Sequence, residues 1–440
     1  MTSVTRLPRD PGPAGWNDIL PQQADPVRLE DDIDAEWLVI GAGFAGLTAA
    51  HRLHDLHPRD RIAVLDGKRL ATGPAARDAG YMIDVPHHVV GPKYFGEVPR
   101  DKADTAANRA AVAYASGLAA VYDMSIDTFD PCGQISAAAT TAGHQRNVEY
   151  AQHLTQMGEG FEVYDAARMA AITGSDYYTS GLFTPGAVIL QPAAYLRSLA
   201  DGLRAKGVQI YEHSPVLSLK RKLLWRAKTP LGFVNAPKVV LAVNGHVESF
   251  GFFQNQLVHV YSYASVTRVL SDAQMADVGG DVRWALTPAD RFGTTMRRIG
   301  NRIMICSRCS AEPSMMVNDA RLRQVKGRHR RSLSVRFPML KGGDLEHTWG
   351  TRSCLTRNGV AAFGEVDRDL FSACGQNGVA PTKGTLHGML AADMASGIHS
   401  DLLGHVLAED PPQKLPPAPF GGMAVSAMIC MGQMRAGMEL

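Results

Sequence analysis

A turn containing three glycines follows the first strongly apolar segment of the chain. That segment, Trp37–Ile40, is a short continuous apolar run of the kind found in buried parallel strands. The turn has the pattern G-x-G-x-x-G, formed by Gly41, Gly43 and Gly46 with Ala42, Phe44 and Ala45 between them. Residues 44–57 then have helical composition, and residues 61–66 form a second apolar run that ends at Asp66. Together these segments predict a βαβ unit of about 30 residues.

Each part of this unit has a role in binding the pyrophosphate of a dinucleotide. Gly41 permits the tight turn, Gly43 lets the backbone approach the pyrophosphate, and Gly46 lets the helix pack closely on the strand. The helix N-terminus offers free N–H groups and partial positive charge to the phosphates. Asp66, 20 residues after Gly46, is placed to accept hydrogen bonds from ribose hydroxyls. The sequence therefore predicts a bound ADP moiety, and the motif leaves NAD and FAD both open. The other alternative is a glycine turn in an unrelated α/β protein.

The composition argues against several other classes of protein. At 440 residues the chain is long enough for two domains, perhaps interleaved. Its 45 basic and 43 acidic residues leave a formal charge of +2, so nucleic acid is not an expected partner. Six cysteines are too few for a disulfide framework, which favours the cytoplasm. No apolar run is long enough to predict a transmembrane helix, and residues 1–30 lack the apolar core of a secretory signal.

Four further segments carry a family resemblance. Residues 73–82 read GPAARDAGYM, residues 239–245 read VVLAVNG, residues 349–364 run from WG through TRNG to FG, and residues 374–384 read CGQNGVAPTKG. They resemble four sequence segments of the D-amino-acid oxidase superfamily of FAD-dependent oxidoreductases. That superfamily includes sarcosine, glycine and γ-glutamylputrescine oxidases and D-amino-acid dehydrogenases. The last segment departs from the family pattern, because Gln376-Asn377-Gly378 stands where members often have G-H-G.

The resemblance implies an α/β (mixed α+β) fold in which a Rossmann-like FAD-binding domain is interleaved with a mixed β-sheet substrate domain. It assigns residues 1–34 to an extended N-terminal arm, 35–104, 191–250 and 346–405 to the FAD-binding domain, 105–190 and 251–345 to the substrate domain, and 406–440 to a C-terminal tail.

The resemblance also implies which residues contact FAD. These residues are Gly41, Gly43, Phe44, Ala45, Gly46, Asp66, Gly67, Lys68, Gly73, Ala76, Arg77, Asp78, Ala79, Gly80, Val216, Asn244, Gly375, Asn377, Gly378, Val379 and Lys383. We expect non-covalent FAD, because Cys354 stands two residues before Thr356, whereas the flavin-linked cysteine of sarcosine oxidases stands five before.

The implied activity is oxidation of a C–N bond of an amine or amino acid to an imine, by hydride transfer to flavin N5. Lys383 is the predicted catalytic residue near the flavin, and Arg297 is a second candidate, beside Arg298. Family members bind a substrate carboxylate with an arginine four residues after the tryptophan. Here Arg352 comes three after Trp349, so strand alternation predicts that it faces away, which favours an amine.

Several alternatives stay open at this point. The electron acceptor is either oxygen or a respiratory acceptor. Rival functions are an FAD-dependent hydroxylase that uses NADPH and a flavin-carrying subunit of a hetero-oligomeric dehydrogenase. The Met-rich tail, residues 423–438, predicts a helix that packs on its own protein, with an oligomer interface as the alternative. No metal site is predicted from His87-His88 or from the CxxC spacing of Cys306 and Cys309.

Overall fold

The computed structural model describes residues 2–4, 7–86, 89–90, 93–94, 96–340, 345–417 and 420–440. Its α-helices are Gly15–Asp18, Phe44–Leu56, Val98–Val121, Thr141–Met157, Ala166–Thr173, Pro192–Ala205, Asp272–Val278, Asp319–Arg336, Ala380–Ala395, Asp401–Leu407 and Phe420–Ala436. Short 3-10 helices cover Pro74–Arg77, Asn244–Phe250 and Gly437–Glu439. Among the residues described, none of the helices is both long and apolar enough to cross a membrane.

A six-stranded sheet contains the predicted βαβ unit. Its strands, in spatial order, are Gln209–Tyr211, Ile62–Leu65, Trp37–Ile40, Lys238–Leu241, Leu370–Cys374 and Ala362–Asp367. The first five are parallel, and only Ala362–Asp367 pairs antiparallel. The strand Trp37–Ile40 is buried along its whole length, as its continuous apolar sequence predicts for a central parallel strand. The predicted βαβ unit is therefore confirmed.

Two helices cover one face of this sheet and pack closely on each other. The helix Phe44–Leu56 begins directly after Gly43 and ends before Pro58, because a proline disfavours helical backbone geometry at the residue before it. The helix Ala380–Ala395 lies against it, and a Cβ atom at Gly388 would stand 2.2 Å from the Ala45 carbonyl oxygen. Glycine at position 388 thus permits the close approach of the two helix backbones.

An eight-stranded sheet forms the second layer. Its strands, in spatial order, are Glu162–Asp165, Ser180–Thr184, Gln134–Ala138, Ala285–Pro288, Thr295–Ile299, Arg302–Ala311, Leu257–Thr267 and Leu345–Thr356. Because the chain enters both large sheets more than once, the predicted interleaved α/β architecture is confirmed.

The residue numbers of the domain division stay a prediction. In the structure, the strand Leu345–Thr356 pairs antiparallel with Leu257–Thr267 of the eight-stranded sheet. The helix Val98–Val121 spans the predicted domain boundary between residues 104 and 105 and packs on Ala380–Ala395. Both elements thus cross the predicted boundaries between the FAD-binding domain and the substrate domain.

Three smaller sheets complete the described strands. A five-stranded sheet has the order Thr2–Ser3, Ser218–Arg221, Trp225–Lys228, Phe233–Ala236 and Ile33–Asp34. A three-stranded sheet joins Tyr81–Met82, Val188–Leu190 and Phe129–Asp130, and a hairpin joins Val89–Val90 to Lys93–Tyr94.

The N-terminal arm is docked on the protein. Trp16 is fully buried, packs edge-on against Trp349 with ring centroids 5.8 Å apart, and donates from Nε1 to the Asp78 carbonyl oxygen at 2.7 Å. The Arg77 guanidinium donates to the carbonyl oxygens of Pro11 and Gly12, at 3.0 Å and 3.1 Å. The arm therefore packs on the glycine-rich loop of residues 73–80.

Candidate active site

One cavity of about 590 Å³ runs between the two large sheets. Its wall at the six-stranded sheet includes the glycine turn at Gly41 and the strand end at Asp66. Its wall at the eight-stranded sheet includes Ser262 and Thr351. A molecule bound in the cavity therefore touches both layers of the fold.

The glycine turn has the geometry that its sequence predicts. Gly41 has a φ of +106°, which favours glycine. A Cβ atom at Gly46 would stand 1.7 Å from the Gly41 carbonyl oxygen, so glycine is required where helix and strand cross. A Cβ atom at Gly43 would lie 3.1 Å from the side chain of Ala75, so the bare backbone at position 43 leaves room beside the second glycine-rich loop.

The Asp66 carboxylate holds this turn in place. Its Oδ2 accepts from the Ala42 N–H at 2.9 Å, and its Oδ1 accepts from the Lys68 N–H at 2.8 Å. Burial raises the pKa of Asp66, although these two hydrogen bonds act in the opposite direction. Asp66 also lines the cavity, where a carboxylate can accept hydrogen bonds from a ribose.

The second glycine-rich loop is fixed from both sides. The Arg77 carbonyl oxygen accepts from Trp349 Nε1 at 2.9 Å and from the Thr351 hydroxyl, which ties the loop to the eight-stranded sheet. Asp78 lines the cavity and accepts from the Gly80 N–H at 2.8 Å. Burial raises the pKa of Asp78 to about 6, so this carboxyl group can gain a proton in mildly acidic solution.

The third segment is built around two asparagines with left-handed backbone. Asn244, at a φ of +48°, accepts at Oδ1 from the Gly375 N–H at 3.1 Å. Asn377, at a φ of +52°, accepts at Oδ1 from the Thr356 N–H at 2.7 Å. Asparagine tolerates this backbone region, so both positions suit their residue. They set the end of the strand Leu345–Thr356 beside the start of the helix Ala380–Ala395.

A cavity bounded by a dinucleotide turn on one sheet and by a separate mixed sheet on the other is typical of a two-layer flavoenzyme. The chain belongs to the DAO family of FAD-dependent oxidoreductases, whose model matches residues 36–394. The predicted family and cofactor are thereby confirmed.

Individual relatives agree with this assignment. The chain is 25% identical over 389 residues to a probable oxidoreductase, OrdL, of Haemophilus influenzae, covering 82% of this chain and 83% of that one. It is 22% identical to γ-glutamylputrescine oxidoreductase of Escherichia coli over 381 residues, covering 84% and 85% of the two chains. Among solved structures, glycine oxidase from Geobacillus kaustophilus matches with a TM-score of 0.69 at 16% identity, covering 84% of this chain and 96% of that one.

The residues present fit FAD. The backbone is bare at Gly43 where a pyrophosphate must approach, and the helix Phe44–Leu56 points its N-terminus at the same place. The Asp66 carboxylate is within the same wall, as an adenosine ribose requires. The start of the helix Ala380–Ala395 also lines the cavity, through Ala380 and Gly384, and its N-terminus offers partial positive charge to a reduced ring.

Most of the predicted FAD-contact residues line the cavity. They are Gly41, Gly43, Phe44, Ala45, Asp66, Gly67, Lys68, Gly73, Ala76, Asp78, Val216, Asn244, Asn377 and Gly378. The other predicted positions do not line the cavity: Gly46, Arg77, Ala79, Gly80, Gly375, Val379 and Lys383. The contact that each residue makes with FAD stays a prediction.

The two predicted catalytic residues lie outside the cavity wall. Lys383 Nζ forms an ion pair with Asp104 at 3.3 Å, on the neighbouring helix. Arg297 is buried, with its guanidinium 4.7 Å from the Trp16 ring and hydrogen-bonded to the Leu190 carbonyl oxygen. Burial lowers the pKa of Arg297 to about 10. A catalytic role for either side chain stays a prediction, and these positions favour structural roles instead.

Arg352 lines the cavity together with its neighbour Ser353. The sequence predicted that Arg352 faces away, because neighbouring residues of a strand point to opposite faces. Leu345–Thr356 is the terminal strand of the eight-stranded sheet, so residues from both of its faces border the cavity. The Arg352 guanidinium lies 3.9 Å from the Asp10 carboxylate and 3.9 Å from Met315 Sδ.

Sequence reasoning missed several residues of the wall. They are His246, Arg291 and Phe292, together with Leu7 and Pro8 of the arm and Val425, Met428 and Ile429 of the C-terminal helix. His246 follows directly on the Asn244-Gly245 turn, and this was the one available signal. The remaining residues reach the cavity only through tertiary contacts.

The cysteines and histidines of the open motifs have separate positions. Cys354 is fully buried and its Sγ donates to Asn244 Oδ1 at 2.9 Å, whereas Cys309 lines the cavity. Burial raises the pKa of the Cys309 thiol to about 11, which keeps it protonated at neutral pH. Within the described ranges, no group of three or more side chains is arranged to hold a metal ion. His87 and His88 lie outside the described residues.

Proposed function

We propose that this protein oxidises a C–N bond of an amino acid or amine to an imine, which water then hydrolyses. The supporting observation is that one cavity extends from the glycine turn at Gly41 to Arg352, which lies on the terminal strand of the eight-stranded sheet. Relatives of this chain include proteins named γ-glutamylputrescine oxidoreductase and glycine oxidase, whose names state amino compounds. When bound, FAD supplies the acceptor for the hydride that leaves the carbon next to nitrogen.

The arginines of the cavity wall favour a substrate that carries a carboxylate. Arg352 has only 12% of its side chain exposed, so its charge is screened less than that of a surface arginine. Arg291 is exposed at the same cavity. Guanidinium groups bind carboxylates through paired hydrogen bonds, and Asp10, at 3.9 Å from Arg352, neutralises part of the charge.

His246 is the residue that we propose for binding the amino group of the substrate, because it lines the cavity. Burial lowers the pKa of His246 to about 3, so the imidazole is neutral at physiological pH and does not repel a cation. Its Nδ1 is buried without a hydrogen-bond partner among the described residues, although the side chain lines the cavity. If the imidazole ring turned this buried nitrogen toward the cavity, a substrate N–H could donate to it, which would orient the carbon to be oxidised.

The test is an anaerobic titration of the purified yellow protein with a panel of amines and amino acids. Bleaching of the flavin bands by one class supports the proposal and identifies the substrate class. Reduction by NADPH alone would indicate the hydroxylase instead. Co-purification of a second subunit, without reduction by any amine, would indicate a flavin-carrying component. Peroxide formation in air would then separate an oxidase from a dehydrogenase.

Arg352→Met tests the substrate contact. We expect KM for a carboxylate-bearing substrate to rise about tenfold or more, because a charge-assisted hydrogen bond is lost. FAD content is expected to stay unchanged. The matched control is Arg357→Met, one position beyond the same strand, exposed and outside the cavity wall. Equal KM values for the two variants would contradict the assignment of Arg352.

A further inference from the structure

We infer that the C-terminal helix Phe420–Ala436 sets the length of an apolar group carried by the substrate, with Val425 and Ile429 as specificity-determining residues. The inference rests on the proposed function and deepens it, because it names the substrate class as an amino compound with an extended apolar substituent. Val425, Met428 and Ile429 all line the cavity that contains the glycine turn.

One face of this helix lies on the eight-stranded sheet. A Cβ atom at Gly432 would stand 2.1 Å from the ring of Phe292, and Gln433 Nε2 donates to the Cys309 carbonyl oxygen at 3.1 Å. Val425, Ile429 and Gly432 recur at helical spacing, so they share the face that is turned to the sheet. Ile429 is 7% exposed, whereas Met434 on the same helix is 68% exposed.

The last residues of the chain anchor the helix in this position. The Glu439 carboxylate accepts from the N–H groups of Ala139 and Thr140, each at 3.0 Å. The Thr294 N–H donates to the Glu439 carbonyl oxygen at 2.8 Å. The Arg336 guanidinium donates to the same oxygen at 3.2 Å. A helix fixed by buried hydrogen bonds is a fixed wall of the cavity, with a defined distance to the opposite side.

The side chains that the helix contributes to the cavity wall are apolar. Phe292, Val260 and Leu7 line the cavity together with the side chains of the helix. Burial of each additional methylene of a ligand against such a wall is favourable until the space is filled, after which each one clashes. A wall of this kind therefore selects for chain length.

The helix and Leu7 both lie outside residues 36–394, the segment that matches the family model. The dinucleotide turn, the second glycine-rich loop and Arg352 all lie inside it. The helix side chains and Leu7 therefore lie outside the matched segment, whereas Val260 and Phe292 of the same apolar wall lie inside it.

The experiment measures kcat/KM for n-alkylamines and N-alkylglycines with one to eight alkyl carbons. Ile429→Ala is expected to move the optimum to longer chains and Val425→Phe to shorter ones. For the substrate that the parent enzyme prefers, kcat/KM should fall roughly tenfold in each variant. The matched control is Met434→Ala, whose side chain does not line the cavity and should leave the profile unchanged. Ile429→Val provides a milder change if Ile429→Ala does not retain FAD.

A second measurement does not require turnover. Dissociation constants for straight-chain carboxylates of four to ten carbons are read from the perturbation of the flavin absorption bands. If no amine reduces the flavin, the proposed function fails, but opposite shifts in carboxylate length preference would still support the inference. Identical length profiles for the parent, Ile429→Ala, Ile429→Val and Val425→Phe proteins, all with full FAD, would overturn it.

Discussion

The carbonyl oxygen of Gly41 lies 1.7 Å from the position that a Cβ atom at Gly46 would occupy. This oxygen belongs to the backbone of the dinucleotide turn, so it cannot move without moving the turn. Gly46→Ala is therefore expected to abolish FAD binding or folding. The measurement is the FAD-to-protein ratio after purification and attempted reconstitution. Gly117→Ala is the control, because nothing lies within 4 Å of its Cβ and alanine favours a helix interior. Full FAD in Gly46→Ala would show that the turn adapts.

Lys383→Met separates the catalytic prediction from the structural one. The ion pair with Asp104 is partly exposed, so its loss is expected to change the free energy of unfolding by about 0–1 kcal/mol. Because Lys383 does not line the cavity, kcat and the rate of flavin reoxidation by oxygen should stay within about twofold of the parent values. Stopped-flow reduction and reoxidation provide the measurement. A large fall in either rate would instead establish Lys383 as a catalytic residue.

Non-covalent FAD makes a simple prediction about denatured protein. The Cys354 thiol is buried and donates to Asn244, and burial raises its pKa, so it is a poor nucleophile. After acid precipitation, all of the flavin should appear in the supernatant, for the parent protein and for Cys354→Ala alike. Cys309→Ala is the companion variant, because Cys309 is the cysteine that lines the cavity. Flavin that stays with the parent pellet but is released from Cys309→Ala would reveal a linkage there.

His387 makes stability depend on pH. Burial lowers its pKa to about 3, whereas an unfolded histidine has a pKa near 6.5. Below about pH 6.5 the unfolded chain therefore binds a proton that the folded chain does not. The free energy of unfolding thus decreases by about 1.4 kcal/mol for each unit by which the pH is lowered. His387→Leu removes this contribution.

Between about pH 7.5 and pH 5, His387→Leu should lose about 2 kcal/mol less stability than the parent protein. Urea unfolding at the two pH values measures the difference. Buried carboxyl groups such as Asp78, whose pKa is raised to about 6, act in the opposite direction but equally in both proteins. Equal pH dependence of the parent and the variant would show that His387 has the same pKa in the folded and the unfolded protein.

The sequence predicted the elements whose physics is local. The βαβ unit could be predicted because Trp37–Ile40 is apolar throughout and the glycines fall where strand, turn and helix meet. The residues of the cavity wall were harder to predict. Ile429 and Leu7 are far from Gly41 along the chain, and no periodic pattern indicates which surface a terminal helix or an arm will cover. The orientation of Arg352 required knowledge that its strand lies at the edge of a sheet.

The order of the parallel strands has a consequence for synthesis of the protein. The strand Trp37–Ile40 lies beside Lys238–Leu241, which in turn lies beside Leu370–Cys374. A ribosome therefore releases the glycine turn at Gly41 long before it releases Asn377 and Gly378, which line the same cavity. The nascent chain has to keep the central strand available until its distant partners are translated. Capture of FAD is thus a late event in biogenesis, and translation that stops before residue 370 leaves a product without a complete cofactor site.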